Sequence, residues 1–169
     1  MTWIAPDVAP VKEPFTGDER SGLLGWLASQ RASFLTRCSG LTGEQLVVRA
    51  VPPSSLSLLG LVRHLADMEH TWFRRRLVGD ETQRPTAERD EPFDATRAEN
   101  AESDYGALLA QWADTDLVLA DLPLDHEFHH PRLGQMSVRW LLLHVIREYA
   151  GHIGHADLLR ERIDGTTYS

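Results

Sequence analysis

The stretch between Ser137 and Gly165 most constrains the fold. It contains no proline, opens on a serine suited to capping a helix, and closes on a glycine suited to ending one. We read a helix from Ser137 to about Ile163. Positions three and four apart on a helix share a face, so Leu141, His144, Glu148, His152, His155 and Leu159 form one stripe. The stripe begins and ends apolar and is polar in its middle. Buried polar groups are unfavourable by several kcal/mol unless they find partners. A metal ion satisfies several at once, and an i, i+4 pair such as Glu148 and His152 can give one ion two ligands. The same spacing suits a surface Glu/His contact, and the stripe alone leaves both readings open.

Three more helical segments precede this one. Residues 1–16 hold three prolines and no helical period, and read as an extended arm whose Trp3, Ile4, Val8, Val11 and Phe15 should pack on something. The remainder, 17–165, reads as one bundle domain. Its first helix begins near Thr16 to Asp18, capped by Asp18 or Ser21, and carries Leu24, Leu27, Phe34, Leu35 and Cys38 until Gly40 stops it. Arg31 falls on that apolar stripe. A short helical turn can start at Thr42. The second helix runs from Ser55 or Ser57 to Val78, with Leu58, Val62, Leu65, Met68, Trp72 and Leu77 on one face and Gly79 behind it. Residues 80–98 are polar and long for a hairpin, which suits a crossover. The third helix spans about Ala98 to Leu122. Residues 123–136 read as an irregular loop or small hairpin. No strand pattern competes elsewhere, so the expected class is all-α: a four-helix bundle with one long crossover and an N-terminal arm.

Composition narrows the function. The net charge of −8 argues against nucleic acid as the main partner, because phosphate binding needs a basic surface. The chain lacks a long uninterrupted apolar run and a signal-peptide pattern, and its single cysteine excludes an internal disulfide. A soluble cytoplasmic protein acting on a small molecule, with no membrane partner, is the expectation.

A third ligand for the Glu148/His152 pair must come from another helix. His64 on the second helix, flanked by core-like Leu61 and Met68, is the candidate. Arg63, Asp67 and Glu69 read as solvated, with Glu69 able to support a ligand; His70 lies toward the polar side. Arg31 could face a pocket, although an arginine whose stem lines the core while its head reaches water is the simpler reading. Trp72 and Tyr149 could line a cavity or simply pack the core. His144 and His155 could support the metal ligands or replace one. His126, His129 and His130 read as a polar loop, and Cys38 as a small core residue.

Two segments carry a family resemblance. One is Leu58-Leu59-Gly60-Leu61-Val62-Arg63-His64-Leu65-Ala66-Asp67-Met68-Glu69, leading to Trp72-Phe73. The other is His152-Ile153-Gly154-His155-Ala156-Asp157-Leu158-Leu159-Arg160-Glu161. With them the chain resembles the DinB superfamily of four-helix bundle metalloproteins over nearly its whole length. The resemblance implies a three-ligand site at His64, Glu148 and His152. The glutamate stands where many members have histidine, as in the mycothiol-dependent isomerase relatives. It further implies a divalent metal, zinc first, with nickel, manganese or iron compatible with the ligand types. It implies a homodimer, and an S-transferase or isomerase using a small thiol such as mycothiol. A metal-dependent hydrolase and a non-catalytic metal- or ligand-binding stress protein are the rival readings.

Overall fold

The structure is a computed structural model that describes residues 2–80 and 91–168. Four long helices form the body: α1 (Glu19–Thr36), α3 (Leu58–Glu69), α5 (Ala101–Ala120) and α6 (Val138–Asp164). Two short helices, α2 (Gly43–Leu46) and α4 (Glu91–Asp94), lie in the connections. A two-stranded antiparallel hairpin, β1 (Glu127–His130) and β2 (Gly134–Ser137), leads into α6.

The helix starts follow local chemistry. Asp18, Thr42, Ser57 and Ser137 each accept a backbone N–H of the first turn, and Thr42 with Gln45 completes a capping box. Gly79 and Gly165 sit in the left-handed region, at φ 80° and 81°, and end their helices there. The sequence-predicted spans hold to within about three residues, α1 ending at Thr36 short of Gly40, with two refinements. First, α3 does not stay α-helical to Val78: His70–Val78 winds as a π-helix. Second, the polar connection read as a crossover carries a short helix, α4, and the third helix opens on a 3₁₀ turn at Ala98–Asn100. Residues 81–90 of that connection lie outside the described residues.

Ion pairs fix the helix directions. Arg63 of α3 meets Asp104 of α5 at 3.5 Å, and Arg74 further along meets Asp114, so α3 and α5 are parallel. Arg139 reaches Glu19 at one end of α6 and α1, and Asp157 reaches Arg37 at the other, so α1 and α6 are parallel as well. Contacts between α3 and α6 run the opposite way. A parallel α3–α5 pair requires the chain to travel back along the bundle between them, which is the expected crossover.

The core is built from Phe34, Leu58, Leu61, Leu65, Phe73, Leu108, Leu141 and Val145, all buried. The N-terminal arm is tied down at Ala5, whose N–H bonds the Leu41 carbonyl at 2.9 Å and whose carbonyl accepts from Gly40. Trp3 packs edge-on against Tyr105, while Phe15 stands exposed.

Candidate functional site

His64 and His152 meet in the seam between α3 and α6, with ring centroids 4.7 Å apart and planes at 70°. Phe93 of α4 closes the other side of His64 at 5.5 Å. That approach depends on Gly60, one turn earlier on α3, where a side chain would strike the Phe93 ring. Burial pulls the His64 imidazole below its ordinary range, partly offset by the Glu148 charge. Burial, with help from His64 and His155, pushes His152 down to about 4. Both rings are therefore neutral at pH 7, the state in which imidazole can act as a ligand.

Glu148 lies one turn before His152, and its charge acts on His64, His144 and His152 alike. Its Oε1 accepts from Arg147 at 3.2 Å. His155 is exposed, with Nδ1 at 3.4 Å from His152 Nδ1. The seam thus joins the two histidines and keeps the carboxylate within electrostatic reach. Among the described residues, no three His, Cys, Asp or Glu side chains stand preassembled as a metal cage.

Several residues expected near the surface are buried. Glu69 is fully enclosed, Asp67 is nearly so and the Arg63 side chain is mostly covered, which corrects the solvated reading of all three; His70, placed toward the polar side, is buried as well. The Arg31 head does not reach water either. Its Nε and Nη2 donate to Glu69 Oε1 and Oε2 at 2.9 and 2.6 Å, and Nη1 donates to Asp116 at 2.8 Å. Tyr149 donates to Glu69 Oε1 at 2.6 Å and accepts from Trp112 Nε1 at 2.7 Å. Arg31, Glu69, Trp112 and Tyr149 come one each from the four long helices, so this network ties the whole bundle together. Glu69 supports Arg31 and Tyr149 rather than a histidine. Tyr149 packs the core rather than lining a cavity.

Arg31 also forms part of the wall of a cavity of about 530 Å³ between α1, α5 and the N-terminal arm. Its guanidinium is already held there by two carboxylates. That cavity lies on the α1–α5 side, away from the histidine pair in the α3–α6 seam.

Toward the hairpin the seam turns aromatic. His144 stacks on Trp140 and meets Trp72 edge-on, and His130 of β1 packs against Trp72. Trp140 is the member that sequence reasoning passes over. Its place four residues before His144, on the same helical stripe, was the available signal. His126 and His129 are exposed, as a polar loop predicts, whereas His130 joins the aromatic group.

This is a mostly helical bundle with a neutral imidazole pair and a carboxylate between facing helices, where bundle proteins build their ligand and ion sites. The chain belongs to the mycothiol-S-transferase family, whose model matches residues 22–165. That family lies within the DinB-like superfamily. No curated protein matches the chain. Among the described residues no helix is long and apolar enough to cross a membrane.

Proposed function

We propose that this protein is an S-transferase that joins mycothiol, or a closely similar small thiol, to an electrophilic small molecule, with a divalent metal held by His64, Glu148 and His152. The observation that carries the reading is the His64–His152 contact across the α3–α6 seam, in a chain of the mycothiol-S-transferase family. The donor chemistry fits a divalent ion: two imidazoles kept neutral by burial, and a carboxylate one helical turn away. Zinc suits this set best, and nickel, manganese and iron share it. When bound, such an ion supplies positive charge that favours ionisation of a thiol at neutral pH.

The chain's own residues support an external thiol. Cys38 is fully buried, and burial pushes its thiol up to about 12, so it offers no thiolate at pH 7. The transferred sulfur must therefore come from a bound cosubstrate. In the reaction the thiol gives up its proton and a C–S bond forms at the electrophilic carbon. The leaving group departs with the electrons of the bond it breaks. Glu148 is paired to Arg147 on the seam surface; ligation would release Arg147 from that carboxylate.

The test is elemental analysis and turnover of tag-free protein, wild type against His64→Ala and His152→Ala, with mycothiol and a panel of electrophiles. About one metal per chain, lost in both variants, with thiol-dependent turnover lost in parallel, is the expected result. Turnover that persists without any thiol would identify a hydrolase instead. Absence of metal after incubation with zinc, nickel and manganese would overturn the site.

A further inference from the structure

We infer that the cavity between α1, α5 and the N-terminal arm is a ligand site of its own, shaped for a small apolar cation: an alkyl or aryl body carrying a protonated amine. It is separate from the histidine seam and does not depend on thiol transfer. The cavity follows from how the helices pair. α1 packs mainly on α6, and α5 mainly on α3, which leaves the α1–α5 side of the bundle parted. The arm crosses that side and is fixed at both flanks. Ala5 is held by its backbone bonds to Gly40 and Leu41. Pro14 sits on Gly25 of α1, where a side chain would strike the proline ring. Beside it, Glu13 accepts from Ser29 at 3.4 Å. Between these anchors, residues 6–11 run over the cleft and give it an outer wall, with Pro6 and Pro10 fixing the backbone φ.

The lining is mostly apolar. Val8 of the arm, Ala32 and Leu35 of α1, and Leu109 and Trp112 of α5 enclose about 530 Å³. That size is in the range of small-molecule sites, roughly 300–1,000 Å³. The arm covers the cleft without filling it. Val11 and Leu109, both on the wall, remain 45% and 43% exposed. An apolar ligand body would remove that surface from water.

Charge selects the rest of the ligand. Among the described wall residues the one base is Arg31. Its Nε and Nη2 already donate to both oxygens of buried Glu69, so that pair carries no net charge. Two acids remain on the wall, Asp116 of α5 and Asp7 of the arm. Asp116 meets Arg31 through Oδ1, and its side chain is 64% exposed; Asp7 is exposed as well. Lys12 and Glu13, next along the arm, offset each other. α5 carries no basic residue to change the balance. An anion entering here meets two carboxylates and an arginine that is already paired. An ammonium group meets a carboxylate from the arm and another from α5.

The experiment uses the full chain without metal or thiol, and three probes with the same alkyl body: octylammonium, octan-1-ol and octanoate at pH 7. Binding is followed by calorimetry and by indole N–H resonances. The expected result is saturable binding of octylammonium that moves the Trp112 signal and leaves those of Trp72 and Trp140 in place. Octan-1-ol should bind more weakly, and octanoate most weakly. Asp116→Asn and Asp7→Asn should each weaken octylammonium several-fold, the effect of an exposed ion pair, and leave octan-1-ol unchanged. Ala28→Phe puts a ring into the cavity from an exposed position of α1 and should abolish binding of all three. Thermal melts confirm that the variants fold. His64→Ala should leave octylammonium binding unaltered. Octan-1-ol or octanoate binding as tightly as octylammonium would overturn the cation assignment, as would Asp variants that bind like wild type. Absent or non-saturable binding, or binding that survives Ala28→Phe, would overturn the site. Failure here leaves thiol transfer standing, and failure of thiol transfer leaves probe binding measurable.

Discussion

Arg31 of α1 and Glu69 of α3 form a two-pronged ion pair inside the bundle, with Arg31 5% exposed and Glu69 0%. A buried pair is weak in net stabilisation, but removing one partner strands the other charge. Glu69→Ala should therefore destabilise the protein by about 3–5 kcal/mol in urea unfolding. The double change Arg31→Met with Glu69→Leu should recover most of that loss. A single variant as stable as wild type would show that the pair is not enclosed.

Tyr149 extends the same network, as donor to Glu69 and acceptor from Trp112. Tyr149→Phe keeps the ring and deletes both bonds. It should cost about 1–3 kcal/mol, because the Trp112 N–H loses its partner in a partly buried place. The loss should be much smaller in a background already lacking Glu69, a non-additivity that a double-mutant cycle measures directly.

Burial raises the Cys38 thiol from its ordinary 9.0 to about 12, so the native chain keeps a proton that the unfolded chain releases. The sign follows: this contribution is intact below about pH 9 and is lost as pH rises toward 12, where stability must fall. Tyr105, also raised to about 12 by burial, adds to the upper part of that decline. Cys38→Ala should flatten the slope of unfolding free energy against pH between 9 and 11. Iodoacetamide at pH 8 should leave the native thiol unmodified and label it in guanidinium.

Gly60 lets α4 lie against α3. A Cβ there would approach the Phe93 ring at 2.8 Å and its backbone at 3.4 Å. Gly60→Ala should lower stability by about 1–3 kcal/mol through overpacking, despite alanine's better helix propensity. Because Phe93 covers His64, the His64 ring-proton resonances should shift as well. An increase in melting temperature would contradict this contact.

Much of the fold was legible from local signals. Asp18, Ser57 and Ser137 announce helix starts, and Gly79 and Gly165 announce ends, because capping uses neighbours within one turn. The parallel α3–α5 arrangement was legible in the long polar connection. The Arg31–Glu69 pair was not: its partners are 38 residues apart, and a helix's periodicity says nothing about which residue faces it from another helix. Glu69 therefore read as solvated, and Arg31 as a surface-seeking head on a buried stem. The π-helical turn also left no mark, since the apolar face from Leu58 to Leu77 continues through it. At the candidate site, His64 and His152 were found by pattern and resemblance, while Trp140 was missed because an exposed tryptophan at a helix start suggests nothing alone.

A catalyst that gathers electrophiles is exposed to its own substrates, and thiols and amines are the groups they attack first. This chain has one thiol, sealed behind the core, and one lysine, Lys12, on the arm rather than in the α3–α6 seam. Covalent poisoning of Cys38 must wait for the bundle to open. On the transferase reading, its resistance to alkylation at that thiol is a property of unfolding, and any change that loosens the bundle should also hasten self-inactivation.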